Sequence, residues 1–331
     1  MRAFWQHWRR GHAGQQAVAS RSARATGQPR VLVAIFDPII PAVGQRLSAA
    51  CGFQRVEALV AGYLADLAWA SRGYLHYEVV QTLRLDDLPC LEDGFTYHPE
   101  DWLHCWQRQG GWHQPAMADY RALVERLGAL SRVVCGELDE VWCFGPPYAG
   151  FWESAMVGAE AWWCNAPPVH LQDCPRRFVV MGFNYERGVG EMLESFGHRV
   201  EACVAHAFGS WREWGGRAEH AWDRFTAYDA VAPGRAGCGT VHYAPNSTTD
   251  YDWGNPRAVW SDCDDWLDYP HRTGRRRRVD CREWGGGDIR AHHRWWLRHL
   301  PCAPGTHEGH LNNWWRYALL DAECAAPGGT P

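Results

Sequence analysis

The chain has 331 residues, 46% hydrophobic and 21% charged, enough to fill one large core or two modest ones. Its formal charge is −5 and every residue of the Lys/Arg class is arginine, which excludes lysine Schiff-base chemistry and gives no compositional argument for specific nucleic-acid binding. No apolar run approaches the ~20 residues that span a bilayer, so no transmembrane segment is expected.

In chain order, residues 1–29 read as a basic extension or targeting segment. Residues 1–36 hold six arginines and no acidic residue, and the stretch Gly11 to Gly27 lacks the apolar centre of a secretory signal, so an organellar address is as compatible as a secretory one. Val31 to Phe36 is a nearly continuous apolar run ending in Asp37-Pro38, the pattern of a buried parallel strand. Val56 to Ala70 has helical spacing and is closed by Gly73. His76 to Leu83 reads as strand, Met117 to Leu130 as helix, Glu140 to Phe144 and Phe178 to Phe183 as strands, and Tyr185 to Phe208 as a long helix. Strands alternating with helices predict an α/β fold with a mainly parallel sheet and flanking helices over residues 30–208. Residues 209–322, rich in Gly, Pro, Asp and Trp, read as a loop-rich, Trp-rich cap on that core, with helices at Asp288 to Leu300 and His310 to Asp321. Residues 323–331 read as a tail.

Thirteen cysteines without any CxxC spacing argue against a zinc ribbon or a thioredoxin-like site. Cys164 and Cys174, and Cys263 and Cys281, bracket loops of a size that disulfides close, which would suit an extracellular or other oxidising compartment; buried free thiols are the alternative.

The segment Gly182 to Glu201 is the most informative. Val189, Met192, Leu193, Phe196, Val200 and Val204 form one apolar helix face. Glu191, Glu194, His198 and Glu201 share the other, so two carboxylates and an imidazole can hold a divalent metal, zinc or calcium, or serve as acid and base. A solvated face with an ordinary Glu194/His198 pair is the plain alternative. Further along, His242 follows Cys238-Gly-Thr, and Asn246, Asp250, Asp252 and Asn255 crowd a turn with enough oxygen atoms for calcium but not the spacing of an EF-hand. Asp288 opens a helix bearing His292, His293, Trp295 and Trp296, as a cap or a ligand. Tyr148 and Glu153 follow the third strand, and Asn184, Tyr185 and Glu186 follow the fourth. Both loops should emerge at the carboxyl edge of a parallel sheet, where open α/β folds bind ligands. Twenty-one tryptophans exceed ordinary core needs, and exposed indoles stack on sugars. The run Arg275 to Arg278 reads as a solvated loop. HExxH, GxSxG, GxGxxG and GxxxxGK[ST] are all absent.

The segments Gly182 to Arg199, Val241 to Pro256 and Trp284 to Pro301 resemble a block found in uncharacterised, often secreted bacterial proteins, a resemblance covering about residues 30 to 321 that implies no particular activity. The arrangement of Glu191, Glu194, Gly197 and His198 is more remotely similar to the metal-binding helix of zinc metallopeptidases, although both histidines of HExxH are missing.

These features lead to an expected extracytoplasmic hydrolase acting on a peptide or a glycan. Its catalytic candidates are Glu191, Glu186, Tyr185 and Asp288, its binding candidates Tyr148, Glu153 and Trp295, and its metal ligands Glu194, His198, His242 and His292. The competing expectation is a non-catalytic carbohydrate- or surface-binding protein with a tryptophan platform and structural calcium. A degenerate enzyme retained for its fold is a third.

Overall fold

The computed structural model describes residues 27–210 and 220–320. Most of the basic extension and the tail at 323–331 therefore lie outside the described residues, as does the end of the helix expected at His310 to Asp321.

Five strands form the main sheet: β1 (Arg30–Phe36), β2 (Glu78–Leu85), β3 (Glu140–Gly145), β4 (Ser154–Val157) and β5 (Phe178–Asn184), in the order β2-β1-β3-β5-β4. All neighbours are parallel except β4, which runs antiparallel along β5 at one edge. The apolar runs explain the order. β1 and β3 are buried almost throughout and sit inside the sheet, whereas β2 mixes Glu, Gln, Thr and Arg with its apolar residues and takes the other edge.

Alternate residues feed two apolar layers. Val31, Val33, Ile35, Trp142, Phe144, Met181 and Phe183 face helices α1 (Val56–Ala70), α5 (Val189–Phe208) and α6 (Ile289–His299). Leu32, Ala34, Phe36, Val141, Cys143 and Val180 face the opposite layer, formed with α3 (Tyr120–Arg126) and α4 (Ala129–Val134). An additional helix, α2 (Pro99–Arg108), starts at a proline and buries Trp102. The single helix expected over Met117 to Leu130 is thus two, because Gly128 turns left-handed (φ 61°) between them.

Residues 220–320 contribute to the first apolar layer: α6 packs on α5 and α1, and Trp222, Phe225, Trp266, Trp296 and Trp314 form a ring-against-ring cluster. The segment expected to be helical from His310 starts instead as a strand. Cys302–His307 and His310–Asn313 make a hairpin whose two turn residues, Glu308 (φ 50°) and Gly309 (φ 81°), are both left-handed, and only Trp315–Ala318 is helical. Two left-handed turn residues match the twist of paired strands, and the hairpin prevails over the helical spacing of Leu311, Trp314, Trp315 and Ala318.

Neither expected disulfide forms. All twelve described cysteines are free. The Cys164 thiol lies 3.8 Å from the Ser154 hydroxyl, while Cys174 turns to the Arg176 carbonyl and Cys263 to Asp264. The cysteine argument for an oxidising compartment thus has no bridge behind it among the described residues.

A fully buried ion pair joins the sheet to the helices. Arg199 of α5 meets Glu140 of β3 at 2.7 Å; Glu140 also accepts from Tyr77 and Trp142, and Arg199 donates to the Ala318 carbonyl. It fixes α5 in rotation and register above the strands, with the polar stripe of the helix turned toward residues 239–253.

Candidate functional site

The polar stripe of α5 is not solvated. Glu194 is 6% exposed, and His198 lies beneath the segment that carries His242. That segment is held from several sides. The Val241 amide donates to Glu201 (2.9 Å), His293 contacts the Val241 carbonyl (3.2 Å), and the Trp296 indole donates to the Gly239 carbonyl (2.9 Å). The Trp253 indole and the Tyr251 amide both donate to the His242 carbonyl. Close approach requires Gly197: a Cβ there would stand 2.6 Å from Val241 Cγ2.

Four polar atoms meet at the contact. His242 Nε2 is 3.0 Å from His198 Nε2, 3.2 Å from Glu194 Oε1 and 2.9 Å from the Tyr251 hydroxyl, which itself donates to Glu194 Oε1 at 2.8 Å. On the outer side His198 Nδ1 is hydrogen-bonded to Glu201 (3.1 Å) and His242 Nδ1 lies 3.1 Å from Asp250. A carboxylate only accepts, so with an ion bound each ring would keep its proton on Nδ1 and turn its Nε2 lone pair inward beside Glu194; without the ion a proton at Nε2 serves the same contacts. Lone pairs so opposed repel unless something positive lies among them. With metal bonds of about 2.0–2.2 Å in a tetrahedral shell, neighbouring ligand atoms stand about 3.3–3.6 Å apart, so the contacts of 2.8 to 3.2 Å found here need open only by a few tenths of an ångström to take an ion. Carboxylates behind both histidines are the usual supports of metal-bound imidazoles.

The charges agree. Glu153, Glu194, Glu201 and Asp250 surround the two imidazoles, and among the described residues none of their ion pairs is with an arginine. Burial disfavours a charged His198, yet Glu201, with Glu153 and Glu194 beyond it, raises its pKa to about 9. In the same way burial opposes ionisation of Glu194, but His242 and Tyr251 hold its pKa below the ordinary carboxylate value. A second group, Cys263, Asp264 and His299, is also near enough to hold an ion. There Asp264 is already occupied by Arg277 at 2.5 and 3.0 Å and His299 Nδ1 by the Trp295 carbonyl, so a cation would sit beside a guanidinium.

A cleft of about 320 Å³ opens at the carboxyl ends of β3 and β5, lined by Pro146, Tyr148, Phe151, Asn184, Arg187 and Glu191 among others. Glu153 also lines it, and its Oε2 lies 3.9 Å from His198 Nε2, so one carboxylate touches both the cleft and the cluster. Tyr148, with a left-handed backbone (φ 62°), stacks on Trp112 at 3.9 Å and leaves half its surface exposed.

The expected site residues therefore divide. Glu194, His198 and His242 converge, and Tyr148, Glu153 and Glu191 share the cleft beside them. Glu191 is partly committed, its carboxylate accepting from the Gly188 amide at the start of α5. Tyr185 is buried and donates to the Phe36 carbonyl, and Glu186 is exposed on the turn. Asp288 is an exposed N-cap accepting from the Ala291 amide, and Trp295 packs between Trp284 and His299. His292 does not join the converging ligands: it is fully buried, stacked on Trp253 at 4.7 Å, and burial pushes its pKa well below the ordinary value. In the turn at 246–255 Asp252 is engaged by Thr248 and Asn255 and Asp250 lies beside His242, while the buried Asn246 Oδ1 has no hydrogen-bond partner among the described residues. Among the described residues the exposed tryptophans, Trp69, Trp163 and Trp260, stand on separate segments and form no common platform. Sequence reasoning passed over Tyr251 and the supporting role of Asp250, which no spacing motif marks. No family model, curated protein or solved structure matches this chain.

Proposed function

We propose that this chain is a metal-dependent hydrolase in which Glu194, His198 and His242 hold a divalent transition metal, zinc by preference, and residues 220–320 act as the cap that encloses it. The observation that carries the reading is the convergence of two Nε2 atoms and a carboxylate oxygen while both Nδ1 atoms rest on carboxylates. Two histidines and a glutamate are a ligand set of catalytic zinc sites that leave room for water, and they suit zinc better than calcium, which prefers oxygen. Such a metal would polarise a carbonyl or make bound water nucleophilic near neutral pH.

The chain's own groups supply the rest. Glu153 lies between cleft and cluster and takes the proton of the attacking water, then returns it to the leaving group. Tyr148, Phe151 and Arg187 give the cleft an aromatic wall and a cation, which suit a peptide or a glycan chain. An extracytoplasmic substrate belongs to the same proposal.

Metal analysis of the purified chain should show about one equivalent of zinc, lost in Glu194→Ala and in His198→Ala while helix content is retained. Full metal occupancy in both variants would overturn the assignment of these ligands. Screening peptide and glycan pools with the loaded protein tests the reaction, and turnover unchanged by chelation would refute it.

A further inference from the structure

We infer that Tyr251 is a fourth protein ligand of the metal, through its phenol oxygen; this rests on the metal site proposed above. A tyrosine half exposed at a turn ordinarily points its hydroxyl to water. Tyr251 is 50% exposed, yet its hydroxyl turns inward to 2.8 Å from Glu194 Oε1 and 2.9 Å from His242 Nε2. Those contacts are a few tenths of an ångström shorter than neighbouring ligand atoms around a tetrahedral ion, as are the 3.0 Å and 3.2 Å that relate His242 to His198 and Glu194, so the hydroxyl converges on the same point as the three proposed ligands. The ring is braced in this pose, tilted over His242 at 4.4 Å and edge-on to Trp253 at 5.1 Å. Its backbone is left-handed (φ 58°), a conformation that non-glycine residues seldom adopt.

Coordination replaces a proton with the ion. The O–H bond that now points to Glu194 breaks, the metal–oxygen bond forms, and the proton leaves to solvent through the exposed side of the ring. Glu194 then has an oxygen free for the metal, so a donor that blocks the carboxylate in the metal-free chain becomes a ligand beside it. Four protein ligands would fill a tetrahedral shell, so the water of the proposed reaction would take a fifth position, on the side of Glu153.

Cupric ion reports this directly, because a phenolate bound to it gives a visible charge-transfer band that imidazole and carboxylate do not. The full chain is titrated with copper(II) chloride and compared with Tyr251→Phe, Tyr243→Phe and His198→Ala. The expected result is one copper per chain with a band that is lost in Tyr251→Phe, where copper is still held, and kept in Tyr243→Phe, whose ring stacks instead on Tyr228. Stoichiometric copper without the band, or a band that survives Tyr251→Phe, overturns the role of Tyr251 and leaves the other three ligands standing. Copper uptake that is absent, or unaffected by His198→Ala, overturns both readings together.

Discussion

Asp250 and Glu201 carry a burden out of proportion to their place behind the cluster. Glu201 is hydrogen-bonded to His198 Nδ1 and Asp250 lies 3.1 Å from His242 Nδ1, so each favours the ring orientation with Nε2 inward. Replacing either by its amide removes the charge and allows the ring to flip, and isothermal titration should show zinc affinity reduced about 10- to 100-fold with the fold intact. Glu153→Gln separates chemistry from binding. It should retain zinc and substrate affinity while turnover falls about 10²- to 10⁴-fold, measured as kcat against KM. At this scale the sequence was half informative. The Glu194/His198 spacing is visible on a helical wheel, but the partners His242, Asp250 and Tyr251 meet it only through a turn whose course depends on Trp253 and α6.

Helix α5 combines two faces that one sequence must satisfy together, apolar toward the sheet and ligand-bearing toward residues 239–253. The small residue between the ligands, Gly197, allows both. Alanine there would gain about 1 kcal/mol of helix propensity, but its methyl would press on Val241, one residue before His242. Gly197→Ala is therefore expected to lose zinc affinity by about tenfold, with unchanged circular dichroism and no comparable gain in melting temperature. The apolar periodicities of β1, β3, β5, α1 and α5 were legible because burial on a sheet face or a helix stripe leaves a repeat of 2 or 3.6 residues. The hairpin at 302–313 was not. Its sequence carries helical spacing, and the deciding feature is the left-handed Glu308-Gly309 pair, which governs the backbone rather than the side-chain pattern.

For the whole molecule, two buried charge systems tie the sheet to its surroundings. Arg199 and Glu140 are both almost fully buried, so truncating Arg199 to alanine leaves a bare carboxylate in the core and should cost about 3–5 kcal/mol in urea denaturation. Asp139 is the second. Burial opposes its charge, but Arg30 and Arg176 hold its pKa down to about 2, against an ordinary value of 3.8. A depressed acid stabilises the fold fully above the unfolded-state value and loses that contribution as pH falls toward the folded-state value. Asp139→Asn should thus lower stability by about 2 kcal/mol at neutral pH, and the gap to the parent chain should close between about pH 4 and pH 2 in parallel denaturation curves. No sequence pattern marks either system, because the arginines that meet Glu140 and Asp139 come from distant parts of the chain.

The struts behind His242 come late in the sequence: His293 and Trp296 grip the carbonyls of Val241 and Gly239. A polypeptide emerging from the ribosome has exposed every proposed ligand some forty residues before those grips exist. Tight uptake of an ion at the proposed site would thus have to wait for α6 to dock, and metal retention would report that docking rather than trigger it.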